Sequence, residues 1–375
     1  MSDLPMLVCR ATTRPGRTAL LRLLTAGLAL ATSLAQAATG LAVLPATGDD
    51  GPVTLFYPSQ AAAQRVQRGP FSLPLVPDAL PARGNGRLVV VSHGSGGGPW
   101  VMAGLAIRLV AAGYVVAMPE HQGDHWNDSS RRGPVSWTMR PGEVSRAIDA
   151  VARDTRLAPL LSLDKVGVYG MSAGGHTALS LAGGRWSPAR LRDHCDAHLA
   201  EDFQTCVGLA TRLTGGWADG AKLAISRRII DWRLADDRLR SHHDPRVAAV
   251  VAGVPLAADF DMASLARPRV PLGLVTVGQD RWLVPRFHSD RVLAACPACE
   301  RVADLPSAGH GALLSPLPPG LDGLIGDLLN DPPGFDRAQL PEVDRRIADF
   351  FSRHLLPVAQ ALPILPSPPL AALSR

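Results

Sequence analysis

The stretch Lys165-Val-Gly-Val-Tyr169-Gly-Met-Ser172-Ala-Gly-Gly-His-Thr-Ala-Leu179 predicts a buried strand, a sharp turn and a helix in direct succession. The residues up to Tyr169 are rich in valine, as in a buried strand, and those after Gly174 follow a helical pattern. Between them, residues 170–174 match Gly-x-Ser-x-Gly, which in this context indicates a serine nucleophile on a strained turn with small neighbours. The helix behind Ser172 also favours negative charge developing there. An ordinary glycine-rich turn is the alternative interpretation.

Outside this stretch, short apolar or β-branched segments alternate with helical patterns. Such alternation indicates βαβ units, so the predicted fold class is α/β, with helices flanking a mostly parallel central sheet. The expected strands are residues 53–57, 87–92, 114–118, 165–169, 247–254, 272–277 and 301–304. The expected helices are residues 101–112, 141–155, 174–182 and 341–354.

One interval, residues 184–244, breaks this alternation. It is polar, contains Trp and Arg, and shows no clear strand. We expect a mostly helical insertion, called the cap below, that folds over the carboxyl edge of the sheet, where α/β folds bind ligands. Residues 38–375 otherwise form a single domain, and its Pro-rich tail at about 362–375 is expected to be a loose coil.

A second glycine-rich turn, His93-Gly-Ser95-Gly-Gly-Gly98, directly follows the expected strand 87–92. Backbone amides in such a turn can point at an anion, and a turn in this place supplies half of an oxyanion hole. We assign the amides of Ser95 and Ala173 as the two donors. A phosphate cradle is the alternative, but no Gly-x-x-x-x-Gly-Lys or dinucleotide-binding glycine pattern is present.

A serine hydroxyl needs a positioned base, and the order expected along an α/β chain is serine, acid, histidine. His310 lies in Ala308-Gly-His310-Gly just past the last expected strand, in a loop able to reach back over the sheet. The other ten histidines are poorer candidates. They precede the serine, or lie in the oxyanion turn, on the helix after Ser172, in the cap, close to the acid or on the final helix.

The acid that orients the imidazole and stabilises its cation is predicted to be Asp280. It follows the expected strand 272–277, and the carboxyl end of a strand presents its side chain to the site. Asp259 and Asp261, after the preceding strand, are the alternatives, since some proteins of this type place the acid there.

Residues 1–37 have the pattern of a cleavable signal peptide, with basic residues before the apolar run 23–34 and Ala35-Gln-Ala37 at a cleavage point. The run is shorter than the roughly 20 apolar residues that cross a bilayer, so no stable membrane anchor is expected. A buried first helix is the alternative. Four arginines against Asp3 account for much of the net charge of +5. The remaining basic residues are scattered, so we expect no nucleic-acid partner.

Four cysteines follow residue 37, namely Cys195, Cys206, Cys296 and Cys299. An even count in an exported chain indicates disulfides. Three pairings are possible, and proximity favours Cys195–Cys206 with Cys296–Cys299. Cys296-Pro-Ala-Cys299 could instead be a redox or metal pair, but neither a thioredoxin-like unit nor a second pair accompanies it. These features predict a periplasmic or secreted protein.

Several of these pieces together resemble a known group of proteins. They are Leu44-Pro-Ala-Thr47, Val53-Thr-Leu-Phe-Tyr-Pro58, Ser92-His-Gly-Ser-Gly-Gly97, Pro119-Glu-His121, Gly170-Met-Ser-Ala-Gly-Gly175 and Ala308-Gly-His310. Over roughly residues 40–355 the chain resembles the bacterial platelet-activating-factor-acetylhydrolase-like, or predicted dienelactone hydrolase, branch of the α/β hydrolases. The resemblance implies the α/β-hydrolase fold and ester hydrolysis without a cofactor. It places the triad at Ser172, Asp280 and His310, and the oxyanion donors at Ser95 and Ala173.

The resemblance does not specify the substrate. Dienelactone hydrolases use a cysteine nucleophile where this chain has Ser172, so their activity is not implied. We expect a small-molecule or lipid ester to be cleaved through an acyl-enzyme. A serine peptidase or amidase is the alternative within enzymes, although no element that recognises a peptide terminus is legible. A non-catalytic binding protein is disfavoured because every triad position is filled.

Two further histidine clusters and four tryptophans can be explained by structural roles. His121-Gln-Gly-Asp-His125 could ligate a metal but resembles a loop of the same family, and His242-His243-Asp244 is expected to close the cap at the surface. No metal or cofactor site is therefore predicted. The tryptophans are either an acyl pocket or ordinary core; they are Trp126, Trp137, Trp217 and Trp232.

Overall fold

A computed structural model describes residues 38–357. The expected signal peptide, residues 1–37, and the Pro-rich tail lie outside the described residues.

Within residues 38–357, ten strands form one mixed sheet in the order β10-β9-β8-β7-β5-β6-β2-β1-β4-β3. Six of them, β5 to β10, pair only in parallel with one another, and the remaining four add a mostly antiparallel extension beyond β6. The strands are β1 Ala38–Leu44, β2 Val53–Ser59, β3 Gln64–Arg68, β4 Phe71–Pro77, β5 Leu88–Ser92, β6 Val115–Pro119, β7 Val166–Met171, β8 Val247–Gly253, β9 Leu272–Val277 and β10 Glu300–Leu305. The prediction of an α/β protein with a mostly parallel sheet is confirmed.

Every strand expected from the sequence is present, with ends shifted by two residues or fewer. Strands β1, β3 and β4 were not predicted, and each has a local reason. Strand β4 contains Pro74 and Pro77, residues that lack a ladder donor and argue against a strand. Strand β3 is polar apart from Val66, its single buried residue. Strand β1 combines Gly40 with alanines, which have low strand propensity.

Helices lie around the sheet, and several of them pack their apolar faces on it. They are α1 Ala103–Ala111, α2 Pro134–Arg153, α3 Ala173–Leu181, α4 Pro188–His198, α5 Phe203–Val207, α6 Asp219–Arg233, α7 Met262–Leu265, α8 Ser289–Ala295, α9 Gly323–Leu329 and α10 Leu340–Leu355. Helix α2 begins at Pro134, seven residues before the predicted start at Pro141. Pro141 lies inside the helix and not in its first turn. Proline is preferred in a first turn, so the sequence pattern pointed to the wrong starting residue. No helix within residues 38–357 is long and apolar enough to span a membrane.

The interval 184–244 contains α4, α5 and α6 and contributes no strand to the sheet. Its inner side chains, including Leu191, Phe203 and Ile230, share one buried cluster with residues of the sheet. Both disulfides favoured by proximity are formed, with Cα atoms 5.8 Å apart in Cys195–Cys206 and 5.4 Å apart in Cys296–Cys299. The first lies within the cap and the second between α8 and β10. Disulfides fit a protein outside the cytoplasm.

Candidate active site

Ser172 is the single residue between the end of β7 and the start of α3. Its backbone has φ 59° and ψ −116°, a region that non-glycine residues rarely occupy. The glycines on either side are required by close approaches. A Cβ on Gly170 would lie 1.9 Å from the Gly174 carbonyl oxygen, and one on Gly174 would lie 2.0 Å from the Ser92 carbonyl oxygen. The strained turn therefore depends on the Gly-x-Ser-x-Gly pattern.

The structure brings Ser172, His310 and Asp280 together. His310 Nε2 lies 3.0 Å from Ser172 Oγ, and His310 Nδ1 lies 2.7 Å from Asp280 Oδ2. Because a carboxylate can only accept, Nδ1 carries the proton and Nε2 is free to accept from the hydroxyl. His310 and Asp280 are buried, whereas Ser172 is partly exposed. These distances are the ones that the predicted roles of nucleophile, base and orienting acid require.

Asp280 is fixed by the turn that it begins. Its other oxygen, Oδ1, accepts hydrogen bonds of 2.8 Å from the backbone N–H groups of both Trp282 and Leu283. The Trp282 ring lies beside the imidazole, with ring centroids 5.2 Å apart. The same turn therefore orients the acid and covers one side of His310.

The two alternative acids lie elsewhere. Asp259 is paired with His176, 3.0 Å away and buried, and Asp261 binds Arg185 at 2.8 Å on the surface. Neither contacts His310. The geometry thus favours Asp280 among the three candidates.

The predicted oxyanion turn lies against Ser172. A Cβ on Gly94 would be 3.3 Å from the Ser172 Cβ, so the backbone of this turn runs directly beside the serine. Ser95 is exposed in the turn, and Ala173 is buried at the first position of α3. Among the hydrogen bonds of residues 38–357, neither the Ser95 nor the Ala173 amide has a protein acceptor. Free amides at a helix N-terminus and in a neighbouring turn suit a developing oxyanion.

A buried ion pair that the sequence reasoning missed holds this turn. Arg140 and Asp124 are both fully buried, with 2.8 Å between Nη2 and Oδ2. Asp124 Oδ1 accepts from the Ser95 hydroxyl at 2.5 Å and from the Gly96 N–H at 3.1 Å. Arg140 Nη1 also donates to the His93 carbonyl at 2.5 Å. Burial alone would raise the pKa of Asp124, but the Arg140 charge and these donors hold the pKa below its usual range.

A second hydrogen-bonded chain, Ser92–His121–Glu143, lies beneath the turn and is fully buried. Ser92 Oγ is 2.7 Å from His121 Nε2, and His121 Nδ1 is 2.5 Å from Glu143. The His121 amide donates to Nε2 of His93 at 3.3 Å. Burial lowers the pKa values of both His93 and His121 well below the usual range.

The other histidine clusters and the tryptophans singled out in the sequence make contacts away from Ser172. No group of three or more His, Cys, Asp or Glu side chains within the described range could hold a metal ion. His242 contacts the Ser145 hydroxyl at 2.9 Å, and Asp244 is salt-bridged to Arg246. Trp137 is packed in the core against His176, whereas the other three tryptophans are exposed; these are Trp126, Trp217 and Trp232. Of these four tryptophans, Trp137 alone therefore belongs to the core.

No protein-family model and no curated protein matches this chain.

Proposed function

We propose that this chain is an exported serine hydrolase with the α/β-hydrolase fold, cleaving carboxylic esters through an acyl-enzyme. The observation that carries the proposal is the chain of hydrogen bonds from Ser172 through His310 to Asp280, with the serine on a strained elbow. A positive φ is costly for serine, and residues held in such conformations cluster at active sites.

The first half of the reaction forms the acyl-enzyme. His310 Nε2 takes the Ser172 proton as Oγ attacks the ester carbonyl carbon. The Asp280 carboxylate stabilises the resulting imidazolium through Nδ1–H. The Ser95 and Ala173 amides donate to the oxyanion, and the tetrahedral intermediate then breaks its bond to the alkoxy group, which leaves as the alcohol with the proton from His310.

The second half releases the acid. His310, neutral again, takes a proton from water as the water oxygen attacks the acyl carbonyl. The new tetrahedral intermediate expels Ser172 Oγ, which recovers its proton from the imidazolium. No group beyond these side chains and amides takes part.

The fold assignment rests on the same neighbourhood. Strand β5, which leads into the oxyanion turn, pairs in parallel with β7, which leads into the elbow. In the α/β-hydrolase fold the second oxyanion donor comes from a loop beside the nucleophile strand in this way. The resemblance of the motifs supports the platelet-activating-factor-acetylhydrolase-like branch and an ester of a small molecule or a lipid. The two disulfides support a periplasmic or secreted location.

Covalent labelling tests the proposal. A fluorophosphonate probe should label the wild-type protein stoichiometrically, and Ser172→Ala should remain unlabelled while keeping the wild-type circular dichroism spectrum. A panel of p-nitrophenyl esters and aminoacyl anilides then separates the reactions, with turnover expected on esters. Faster turnover of the anilides would identify an amidase or peptidase instead. A folded wild-type protein that neither labels nor turns over either series would indicate a binding protein.

A further inference from the structure

The turn that carries Asp280 is held from outside by the cap. Thr205, on α5, has its Oγ1 3.0 Å from the Trp282 carbonyl oxygen. Asp202, just before α5, accepts a hydrogen bond of 3.3 Å from the Val284 N–H. Trp282 and Val284 belong to the same turn whose amides bind Asp280. The cap therefore contacts the acid-bearing turn through the backbone groups that set its shape.

Asp202 is a buried carboxylate with a full set of donors. Its Oδ2 accepts from His194 Nε2 at 2.8 Å and from His288 Nε2 at 3.1 Å, and its Oδ1 lies 2.9 Å from the Thr205 hydroxyl. Burial alone would raise the pKa of Asp202, but the hydrogen bonds from the two histidines hold it far below the usual range. A buried carboxylate with this many partners is held in one orientation, because each unmade hydrogen bond in a buried site is costly.

His288 extends the same network toward the nucleophile. Its Nδ1 accepts from the Ala257 N–H at 2.9 Å, so the proton resides on Nε2, which faces Asp202. The neighbouring Leu256 N–H donates to the Ser172 carbonyl at 3.3 Å. Asp202 thus connects the turn after β9, which carries the acid, with the loop after β8, which abuts the serine.

The Cys195–Cys206 disulfide closes the loop that contains Asp202 and Thr205. Cys195 follows His194, Cys206 follows Thr205, and Asp202 lies within the loop that the bond closes. Because the bond fixes the two ends of the loop, it limits how far His194, Asp202 and Thr205 can move apart. The other disulfide, Cys296–Cys299, joins residues outside this network and provides a matched control.

We propose that Asp202 is a positioning residue that keeps Asp280 aligned with His310, and that the Cys195–Cys206 bond keeps Asp202 in place. This rests on the proposed hydrolase function. The cap is then part of the catalytic framework, and turnover depends on its disulfide.

Paired substitutions test the role of Asp202. Asp202→Ala is compared with Glu201→Ala, which removes an exposed carboxylate from the adjacent position. On a small p-nitrophenyl ester, Asp202→Ala should lower kcat by about 10- to 100-fold with little change in KM, since small misplacements of catalytic groups cost about that much. The downfield proton NMR resonance of the Asp280–His310 hydrogen bond should broaden or disappear. Glu201→Ala should retain the wild-type kcat and the downfield resonance. Thr205→Val, which loses only the hydroxyl, should show a smaller loss of the same kind.

Paired cysteine variants test the role of the bond. The Cys195→Ser, Cys206→Ser double variant should lose kcat and the downfield resonance in the same direction as Asp202→Ala. The Cys296→Ser, Cys299→Ser double variant should keep both near the wild-type values.

Three results would overturn the proposal. One is unchanged kcat and an unchanged resonance in Asp202→Ala. Another is a rise in KM alone, which would make the cap a substrate cover only. The third, if Asp202→Ala does not fold, is a Thr205→Val protein with wild-type kcat and resonance. Failure of the proposed hydrolase function would give a different result. The wild-type protein would then neither react with the fluorophosphonate nor hydrolyse the esters. The downfield resonance would still report whether Asp202 supports the Asp280–His310 hydrogen bond.

Discussion

Two chains of serine, histidine and carboxylate lie side by side in this molecule. In one, Ser172 is 3.0 Å from His310, which is 2.7 Å from Asp280. In the other, Ser92 is 2.7 Å from His121, which is 2.5 Å from Glu143. By hydrogen-bond distance alone, the second would be the better catalytic candidate.

Their surroundings differ in ways that reverse this order. Ser172 is partly exposed on a turn with positive φ, while Ser92 is fully buried at the end of a regular strand. His121 is fully buried, and burial lowers its pKa, so it resists taking up the proton that a base must accept. Access, backbone strain and nearby free amides therefore favour the Ser172 chain as the proposed catalytic one, and hydrogen-bond distances by themselves do not.

The largest expected difference between the two chains is at the serines. Ser172→Ala should lower kcat by about 10⁵- to 10⁶-fold, because removing the nucleophile leaves only residual catalysis, and should hardly change stability. Ser92→Ala should lower kcat only slightly but reduce the free energy of unfolding by about 1–3 kcal/mol, since His121 loses a buried partner. Ester turnover and urea unfolding of both variants provide the measurements. Near-normal turnover in Ser172→Ala would refute the nucleophile assignment.

The carboxylates of the two chains, Asp280 and Glu143, should also differ in their effects on kcat and stability. Asp280→Asn should lower kcat by about 10⁴-fold by favouring the wrong imidazole tautomer. Glu143→Gln should act mainly on stability, and Asp259→Asn and Asp261→Asn should leave most of the turnover intact. Steady-state kinetics on one ester across the four variants checks this. Should Asp259 or Asp261 prove the sensitive position, the acid would belong after β8.

Arg140 tests how far the buried Arg140–Asp124 ion pair supports the turn beside Ser172. Arg140→Met removes the partner of the buried Asp124, and breaking a buried pair in this way costs about 3–5 kcal/mol of stability. The predicted oxyanion turn also loses the hydrogen bond from Arg140 to the His93 carbonyl. We therefore expect both kcat and the rate of fluorophosphonate labelling in native buffer to fall. Asp124→Asn, Arg140→Met should recover part of the stability. Equal stability of Arg140→Met and the wild type would contradict the role of the pair.

The smallest expected effect is a pH dependence of stability. In the unfolded chain His93 and His121 take up protons near pH 6.5, about the ordinary histidine value, whereas burial keeps them neutral to lower pH in the folded protein. Below about pH 6.5 the unfolded state therefore binds more protons, and stability falls by up to about 1.4 kcal/mol per pH unit for each histidine. Urea unfolding between pH 7.5 and 5.5 measures this.

His121→Gln removes one of the two rings and should flatten the pH dependence. Glu143, whose pKa burial raises, contributes with the opposite sign, so Glu143→Gln should steepen the loss toward low pH. A slope that neither substitution changes would place the titrating groups elsewhere.

The parts of the site that could be predicted from sequence are those built by local pattern. The Gly-x-Ser-x-Gly elbow, the turn after β5 and the loop of His310 each follow a strand recognisable on its own. The missed parts depend on residues distant in sequence. Arg140 and Asp202 are charged, and charged residues are ordinarily exposed, so only the folded chain shows that each is buried with a partner.

The same limit applies to the fold. Central strands are apolar throughout and stand out, whereas β3 and β4 are half-exposed and interrupted by polar residues or proline. Their place in the sheet is set by pairing with each other and with β1, which no local signal reveals.

Strands β3 and β10 end the sheet, and their side chains bear on how the protein behaves at high concentration. An edge strand offers unpaired N–H and C=O groups that can recruit a strand of another molecule and start aggregation. Strand β3 places Arg65 and Arg68 there, and β10 places Glu300, Arg301 and Asp304. Bringing two β3 edges together would force their arginines into contact, and pairing at either edge would strip charged side chains of water. The charged edges thus protect the sheet from edge-to-edge assembly, and neutral substitutions along β3 would be expected to promote it.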